Sequence, residues 1–354
     1  MTELLPFLKS LMTASGLSGY EAPVRRLIEE AWKPLTDELS VSPLGSLHGL
    51  KRGSGEAPRP KIMLAAHMDA IGLMVSGIVG EFLRVTEVGG LDERLLPGQL
   101  VTVHGRQDLP AVVVQPPPHL LPEGARSGPV ALKYLLVDTG LPERQLRRLV
   151  RVGDMVSYAQ PPLELSGETL AGCYLDNRAS VATLTQALEE LQGRTHHWDV
   201  WAVATVQEEE TFGGAYTSAF ALRPDLAVAV DVTHAKGPGS LEHKSYPLGK
   251  GPTIGWGANI HPALFKAFKD LAEKLEIPHQ IEVMPRHSGT DAFAIQVVAE
   301  GIPSMVISLP LRYMHTPVEV VALKDIQRAA HLLAEFIVRL EPDYLSQVTW
   351  EEKG

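Results

Sequence analysis

The chain has 354 residues, of which 45% are hydrophobic and 21% charged, enough apolar material for a sizeable core and about two domains of ~150 residues. Its formal charge of −10, with no run of five or six Lys or Arg, argues against nucleic acid as a partner. A single cysteine, Cys173, excludes an intrachain disulfide and a cysteine-rich zinc module.

The N-terminal residues predict a helix. Apolar residues recur at helical spacing in MTELLPFLKSLMTASG, whereas a signal peptide has a basic start and an unbroken apolar core. We find no stretch near the ~20 apolar residues that span a bilayer. We therefore expect a cytoplasmic protein that does not bind membranes.

Strand and helix patterns then alternate along the chain. Ser18 and Glu21 predict a capping box that starts a second helix, and KIMLAA predicts a buried strand. From about residue 165 onward, further strands are predicted for WDVWAVATV, DLAVAVDV, IEVM and SMVISLP. Helices are predicted to begin at Asp176, His261, Thr290 or Asp291, and Leu323. This alternation is typical of an α/β fold.

Between about residues 71 and 164 the pattern changes to short apolar runs separated by Gly and Pro, with one helix predicted around Pro142–Leu149. Such runs are typical of a small β-rich unit. We therefore expect residues 1–70 and 165–345 to form one discontinuous α/β domain. Residues 71–164 would be an insertion.

Histidines and acids follow several predicted strands. These residues are His67, Asp69, Glu208, Glu209, Asp231 and His315. In an open α/β sheet, the carboxyl ends of the strands converge on one crevice, so the side chains are expected to meet there. The pattern favours a metal site.

Each residue also has a structural interpretation. His67 alone is more often a core histidine, yet the His-x-Asp spacing lets Asp69 orient its ring. Glu208 and Glu209 can be an acidic helix start, Asp176 a helix N-cap, and His315, before Thr316 and Pro317, an ordinary turn residue. Asp231 lies within an apolar strand, where a carboxylate needs a cation or hydrogen-bond donors, so we favour a ligand role for it.

Taken together, two histidines and three carboxylates can hold two divalent metal ions if Asp176 bridges them. Mixed nitrogen and oxygen ligands suit zinc, cobalt or manganese. The spare carboxylate of the Glu208/Glu209 pair would then act as a general base. Cys173, near Asp176, is interpreted as a core residue.

At these residues the sequence resembles the tetrahedral aminopeptidases, also called glutamyl aminopeptidases or cellulase-like metallopeptidases, a two-metal branch of the zinc exopeptidases. The matching segments, in chain order, are AHMDAIG, LDNR, QEE, VDVTH, GKGPTI, SGTDA and RYMHTPVEV. The resemblance implies a zinc-exopeptidase-like α/β domain with a PDZ-like insert used for assembly. It also implies removal of N-terminal residues from short peptides by a homo-oligomer, from a dimer up to a dodecamer.

The resemblance further implies a role for each site residue. His67 and Asp231 would hold one metal ion, Glu209 and His315 the other, and Asp176 would bridge them. Glu208 would be the general base, and Asp69 would orient His67. The chain departs from the family pattern at Gly213, where an arginine is common.

Alternatives to a two-metal aminopeptidase are an N-acyl amidohydrolase or deacylase with the same metal pair, and a non-catalytic scaffold. A glycosidase would instead use two carboxylates without metal. The complete set of candidate ligands argues against the scaffold.

Overall fold

The computed structural model describes residues 3–350, which form an α/β domain interrupted by a β-barrel. The α-helices are α1 Leu4–Thr13, α2 Ala22–Trp32, α3 Glu143–Leu149, α4 Leu175–Glu190, α5 Glu208–Thr211, α6 Gly213–Leu222, α7 Pro262–Lys274, α8 Asp291–Gln296 and α9 Leu323–Val338. Short 3-10 helices lie at Glu93–Leu95, Pro118–Leu120, Glu123–Ala125, Leu132–Tyr134, Glu242–Lys244 and Tyr344–Gln347.

The strands divide between two sheets. They are β1 Glu38–Val41, β2 Leu47–Lys51, β3 Lys61–His67, β4 Gly72–Val79, β5 Phe82–Val88, β6 Leu100–His104, β7 Asp108–Val114, β8 Leu136–Asp138, β9 Met155–Tyr158, β10 Leu163–Leu165, β11 Thr169–Gly172, β12 Asp199–Thr205, β13 Leu226–His234, β14 Thr253–Gly257, β15 Gln280–Met284, β16 Ser304–Arg312 and β17 Glu319–Ala322. Strands β4 to β9 form the barrel, and the others form the main sheet.

The main sheet has the order β1-β2-β12-β3-β13-β16-β17-β11-β10, and β14 and β15 extend it beside β16. Strands β12, β3, β13 and β16 are parallel neighbours at its centre. The register pairs Thr205 with His67, and Ala229 with Ala65. The carboxyl ends of β12 and β3 therefore lie level with the middle of β13, where Asp231 is placed.

Helices cover the sheet because their apolar residues repeat at helical spacing. Nearly every residue of α4 is buried, including both apolar and small polar side chains. Phe268 of α7 stacks on Phe336 of α9 with ring centroids 4.1 Å apart. The Trp32 indole donates a 2.9 Å hydrogen bond to the Thr185 hydroxyl, which joins α2 to α4. The α/β class predicted from the sequence is confirmed.

The barrel closes in the order β4-β5-β8-β7-β6-β9, with β9 pairing back to β4. It encloses its own apolar core, which includes Leu73, Leu83, Val103 and Val137. The backbone N–H of Tyr158 donates to the hydroxyl of Tyr174, which precedes α4, at 2.6 Å. The predicted β-rich insert is thus a closed barrel that contacts the start of α4.

The predicted capping box at the start of α2 is wrong. The Ser18 hydroxyl donates to the Asp69 carboxylate, and the Glu21 carboxylate accepts hydrogen bonds from the backbone N–H groups of Gly19 and Gln207. Ser18 therefore connects the segment before α2 to Asp69, which offers the hydroxyl a charged acceptor, and Glu21 connects the same segment to Gln207.

Within residues 3–350 no helix is long and apolar enough to cross a membrane, and the cytoplasmic location stays a prediction.

The buried His48 of β2 makes stability depend on pH. Burial lowers its pKa to about 4, and its ring lies 2.9 Å from the Ser218 hydroxyl. The folded protein keeps this ring neutral, whereas the unfolded chain takes up a proton below about pH 6.5. This single residue is therefore expected to cost about 2 kcal/mol of stability between pH 7.5 and pH 5.

Urea denaturation of the wild type and of His48→Gln at both pH values measures this contribution. We expect the stability loss on acidification to be about 2 kcal/mol smaller in the variant. His119→Gln, at an exposed position in a barrel loop, is the matched control. Equal losses in the wild type and in His48→Gln would contradict the assignment.

Candidate active site

The candidate site lies at the carboxyl ends of the central parallel strands. His67 ends β3, Asp231 lies in β13, and Glu208 begins α5 directly after β12. Two further segments reach the site: the first turn of α4 carries Asp176, and the loop after β16 carries His315. The structure brings together the seven residues singled out from the sequence, which are His67, Asp69, Asp176, Glu208, Glu209, Asp231 and His315.

Asp176 lies between the two histidines. Its Oδ1 is 3.3 Å from Nε2 of His67, and its Oδ2 is 3.4 Å from Nε2 of His315. Tyr174 occupies the N-cap position of α4, so the interpretation of Asp176 as that cap is wrong. Its carboxylate faces the histidines instead, with one oxygen toward each ring.

The remaining carboxylates complete two groups. Asp231 Oδ1 and Glu208 Oε2 are 3.8 and 3.6 Å from Nε2 of His67, and Glu209 Oε2 is 3.4 Å from Nε2 of His315. Donor atoms of His67, Glu208 and Asp231 lie within 4.8 Å of one another, as do those of His67, Asp176 and Glu209. The site therefore contains two overlapping sets of potential metal ligands.

These separations fit a cation better than direct hydrogen bonding. Tetrahedral ligands at metal distances of 2.0–2.2 Å lie roughly 3.4 Å apart, close to the separations between the rings and Asp176 or Glu209. Among the described residues, Glu209 Oε1 is buried and has no hydrogen-bond partner. A buried, unpartnered carboxylate oxygen is unfavourable unless it binds a cation. The residues therefore fit divalent metal ions.

Crowding of buried acids supports the same conclusion. Burial raises the pKa values of Asp231 and Glu208 well above their usual range, and the negative charge of neighbouring carboxylates raises them further. Burial and the charge of Asp176 raise the pKa of Glu209 to about 8. These carboxylates can be ionised together only if positive charge is supplied close to them.

Both histidine rings respond to the acids around them. Burial lowers the pKa of His67, but Glu208, Asp176, Asp69 and Asp231 outweigh burial, and the net pKa is well above its usual value. The Asp176 carboxylate, 3.4 Å from the ring, raises the pKa of His315 to about 9. The negative potential that attracts protons to these rings equally attracts metal cations.

Asp69 connects the histidine to the paired glutamates. Nδ1 of His67 lies 3.2 Å from the backbone oxygen and 3.5 Å from the carboxylate of Asp69. The same carboxylate accepts the backbone N–H groups of Glu208 and Glu209 at 3.0 and 3.2 Å. Burial raises the pKa of Asp69, but His67, the Ser18 hydroxyl and the backbone N–H of Glu208 together outweigh burial, so the net pKa is lowered. The contact with the glutamate backbone was not anticipated from the sequence.

Glu319 is a functional candidate that sequence reasoning missed. Its Oε2 accepts the backbone N–H of Asp176 at 3.1 Å, and its Oε1 accepts that of His315 at 3.0 Å. One buried carboxylate thus holds two candidate ligands that come from distant segments. Glu319 is the one acid in the apolar run VEVV, and burying an acid in such a run requires compensation. The same reasoning identified Asp231 and could have identified Glu319.

Other residues near the site have structural roles. The Thr205 hydroxyl donates to Asp291 at 2.6 Å, and Thr290 caps α8 through the backbone N–H of Ala292. Cys173 is buried, and its thiol donates to the backbone oxygen of Pro317 at 3.4 Å. Gly213 begins α6 beside Leu44, where an added Cβ would lie 2.9 Å from the Thr211 hydroxyl. A larger residue there would require the neighbours to shift.

The candidate ligands line a cavity of about 210 Å³. Glu210, Phe212 and Gly289 complete its wall. This α/β domain is interrupted by a barrel and gathers histidines and carboxylates at one edge of its sheet. Solved aminopeptidases match the chain over nearly its whole length, and the class of protein is therefore an enzyme that hydrolyses peptide bonds. The chain belongs to the M42 glutamyl aminopeptidase family, whose model matches residues 45–332.

Individual relatives match nearly the whole chain. The lysyl aminopeptidase of Pyrococcus furiosus is 35% identical over 95% of this chain and 97% of its own length. A solved TET aminopeptidase from a marine sediment Thaumarchaeota archaeon is 32% identical, with a TM-score of 0.92 and coverage of 98% and 99%. The TET1 peptidase of Pyrococcus horikoshii is 30% identical, with a TM-score of 0.83 and coverage of 96% and 100%. The family resemblance and the inserted β-rich unit predicted from the sequence are both confirmed.

Proposed function

We propose that the protein is a metal-dependent aminopeptidase that removes N-terminal residues from short peptides with the help of two divalent metal ions. The observation that carries this proposal is the position of Asp176, with one carboxylate oxygen facing each histidine. Two-metal hydrolytic sites need such a bridging ligand because the ions lie only ~3.5–4 Å apart. Membership of an aminopeptidase family supports peptides as the substrate class.

Each metal ion would have three protein ligands. His67 and Asp231 would hold one ion, Glu209 and His315 the other, and Asp176 would contribute an oxygen to each. Three ligands leave an open position of the kind that catalytic metal sites keep. Mixed imidazole and carboxylate ligands suit zinc or cobalt, and also manganese.

The five ligands proposed above leave Glu208 unassigned, although its Oε2 lies 3.6 Å from Nε2 of His67, and we assign Glu208 as the general base. When bound, two divalent ions polarise a carbonyl group and lower the pKa of a water molecule. The Glu208 carboxylate would take a proton from the attacking water and return it to the nitrogen of the leaving amine. Asp69 would hold Glu208 in place through its backbone N–H.

We also propose that the protein acts as a homo-oligomer. The related Pyrococcus horikoshii TET1 peptidase can assemble into a tetrahedron or a large octahedral shell. A dimer that builds up to a dodecamer follows by analogy with such neighbours. The barrel would provide the assembly surfaces, and residues 71–164 are the proposed extent of this domain.

A substrate panel tests the function. Aminoacyl p-nitroanilides and unblocked tri- and tetrapeptides are incubated with the protein before chelation, after chelation, and after zinc, cobalt or manganese is restored. We expect release of N-terminal residues that needs a free α-amino group, disappears on chelation and returns with metal. N-acetylated versions of the same peptides are the matched controls. Cleavage of the acetylated peptides alone would overturn the proposal in favour of a deacylase.

A further inference from the structure

A second cavity, of about 650 Å³, adjoins the candidate ligands on the side of the barrel. Its wall is formed by His315 together with residues of the barrel, among them Gly90, Leu91 and Glu93. His315 lines the 210 Å³ cavity as well, so the two cavities share this residue. A cavity of about 420 Å³ near Arg312 and Tyr313 has a different lining, and within the described chain it shares none of its residues with the ligand cavity.

Exposure shows where the site opens to solvent. The His315 side chain is 37% exposed, whereas those of His67, Asp176 and Asp231 are 2%, 7% and 8% exposed. The site is therefore closed around His67 and open past His315. A peptide whose N-terminal residue lies against the ligands can leave the site on this side, along the larger cavity.

The barrel segment Gly89–Arg94 lines this exit with its residues from Gly90 to Arg94. Through Gly89 it is attached to α5, the helix that begins with the paired glutamates. The backbone N–H of Gly89 donates a 2.6 Å hydrogen bond to Glu210 Oε1, and Glu210 directly follows the paired glutamates. Gly89 has a φ of +71°, and an added Cβ would lie 2.5 Å from Cγ2 of Ile71, so only glycine fits there.

The rest of the segment is also held in place. A Cβ added at Gly90 would lie 3.5 Å from Nδ1 of His315, which shows how closely this backbone passes the ring. Arg94 donates to both carboxylate oxygens of Asp92 at 2.8 and 3.0 Å, and Glu93 accepts the backbone N–H of Leu132 at 2.8 Å. The segment therefore forms a defined wall.

We propose that Gly89–Arg94 forms one wall of the substrate cleft, where it binds the peptide residues that follow the scissile bond, and that Glu210 is the positioning residue that holds this wall. This inference rests on the proposed aminopeptidase function. It assigns the barrel a part in substrate binding in addition to any part in assembly. Because an extended chain advances by 3.3–3.6 Å per residue, residues just beyond the scissile bond would lie beside His315 and Gly90.

The test compares two substrates that share the same N-terminal residue. An aminoacyl p-nitroanilide has no peptide residue after the scissile bond, whereas the corresponding tetrapeptide has three. Glu210→Ala removes the acceptor for Gly89, and we expect the ratio of kcat/KM for the tetrapeptide to that for the p-nitroanilide to fall about tenfold, mainly through KM. Glu210→Gln keeps an amide oxygen in the acceptor position and is expected to restore most of the ratio.

A second variant acts on the wall itself. Gly90→Leu places a bulky side chain beside His315 and is expected to lower the same ratio, whether or not Glu210→Ala folds. Glu81→Ala, at the exposed β4–β5 turn on the same barrel, is the matched control and should keep the wild-type ratio.

The possible outcomes separate the two proposals. If Glu210→Ala and Gly90→Leu both keep the wild-type ratio, the cleft-wall proposal is overturned, even where kcat/KM falls equally for the two substrates. The aminopeptidase function would then remain intact. If the metal-loaded wild type cleaves neither substrate, the proposed function fails, and this inference fails with it.

Discussion

Replacing Glu208 by Gln is expected to lower kcat for the release of N-terminal residues by about 10²–10⁴-fold, the usual contribution of a general base. The amide keeps the size of the side chain and cannot accept the proton. Because the proposed ligands remain, KM and metal content should stay close to those of the wild type. Steady-state kinetics with an aminoacyl p-nitroanilide, together with metal analysis by mass spectrometry, measures both quantities.

Two further variants sharpen this result. Glu300→Gln changes an exposed acid whose side chain is 94% accessible, and it should behave as the wild type. Glu209→Gln should lose activity together with metal, since Glu209 is the proposed ligand of the pair. If Glu208→Gln instead loses metal and Glu209→Gln keeps it, the roles of the two glutamates must be exchanged.

Asp176→Asn is expected to reduce metal binding much more than Glu208→Gln does. Asparagine keeps one ligand oxygen and replaces the other by an NH₂ group, so it cannot bridge two ions. Metal content should fall from two ions per chain to one or fewer, and kcat/KM should fall by at least about a thousandfold. Loss of a partner outside the ligand set typically costs only about 10–100-fold, which makes the two cases distinguishable.

Thermal denaturation gives a second measure that is independent of activity. Metal ions that bind the folded state stabilise it by about 2.7 kcal/mol at a free concentration of 100 times Kd. Zinc or cobalt should therefore raise the Tm of the wild type and raise that of Asp176→Asn much less. Asp270→Asn, a surface change on α7, is the control. Retention of two tightly bound ions in Asp176→Asn would refute a bridging role.

Much of the site could be predicted from local sequence because it depends on strand ends. His67, Glu208 and Asp231 all follow or interrupt apolar strands, and the parallel register brings those strand ends to the same edge of the sheet. Asp231 was the clearest case, since an isolated carboxylate in LAVAVDV requires compensation. The roles of these residues as ligands and base remain predictions for the experiments above.

The contacts of Ser18, Asp69, Glu210 and Glu319 could not be predicted in the same way. Ser18 and Glu21 have the spacing of a capping box, yet the fold places a stronger acceptor, Asp69, beside Ser18. Glu319 contacts Asp176 across 143 positions of the chain, and Gly89 contacts Glu210 across 121. Such partners are chosen by packing between distant segments, and local spacing carries no signal of them.

The amino-acid sequence by itself determined the α/β class, the β-rich insert and the residue types available for a metal site, because periodicity and the cost of burying charge act locally. Only the tertiary structure decided which oxygen of Asp176 faces which histidine, how Asp69 and Glu319 hold the surrounding backbone, and that the barrel stands beside the open edge of the site. These relations depend on distances between segments far apart in the chain, which are set only when the sheet, α4 and the barrel pack together.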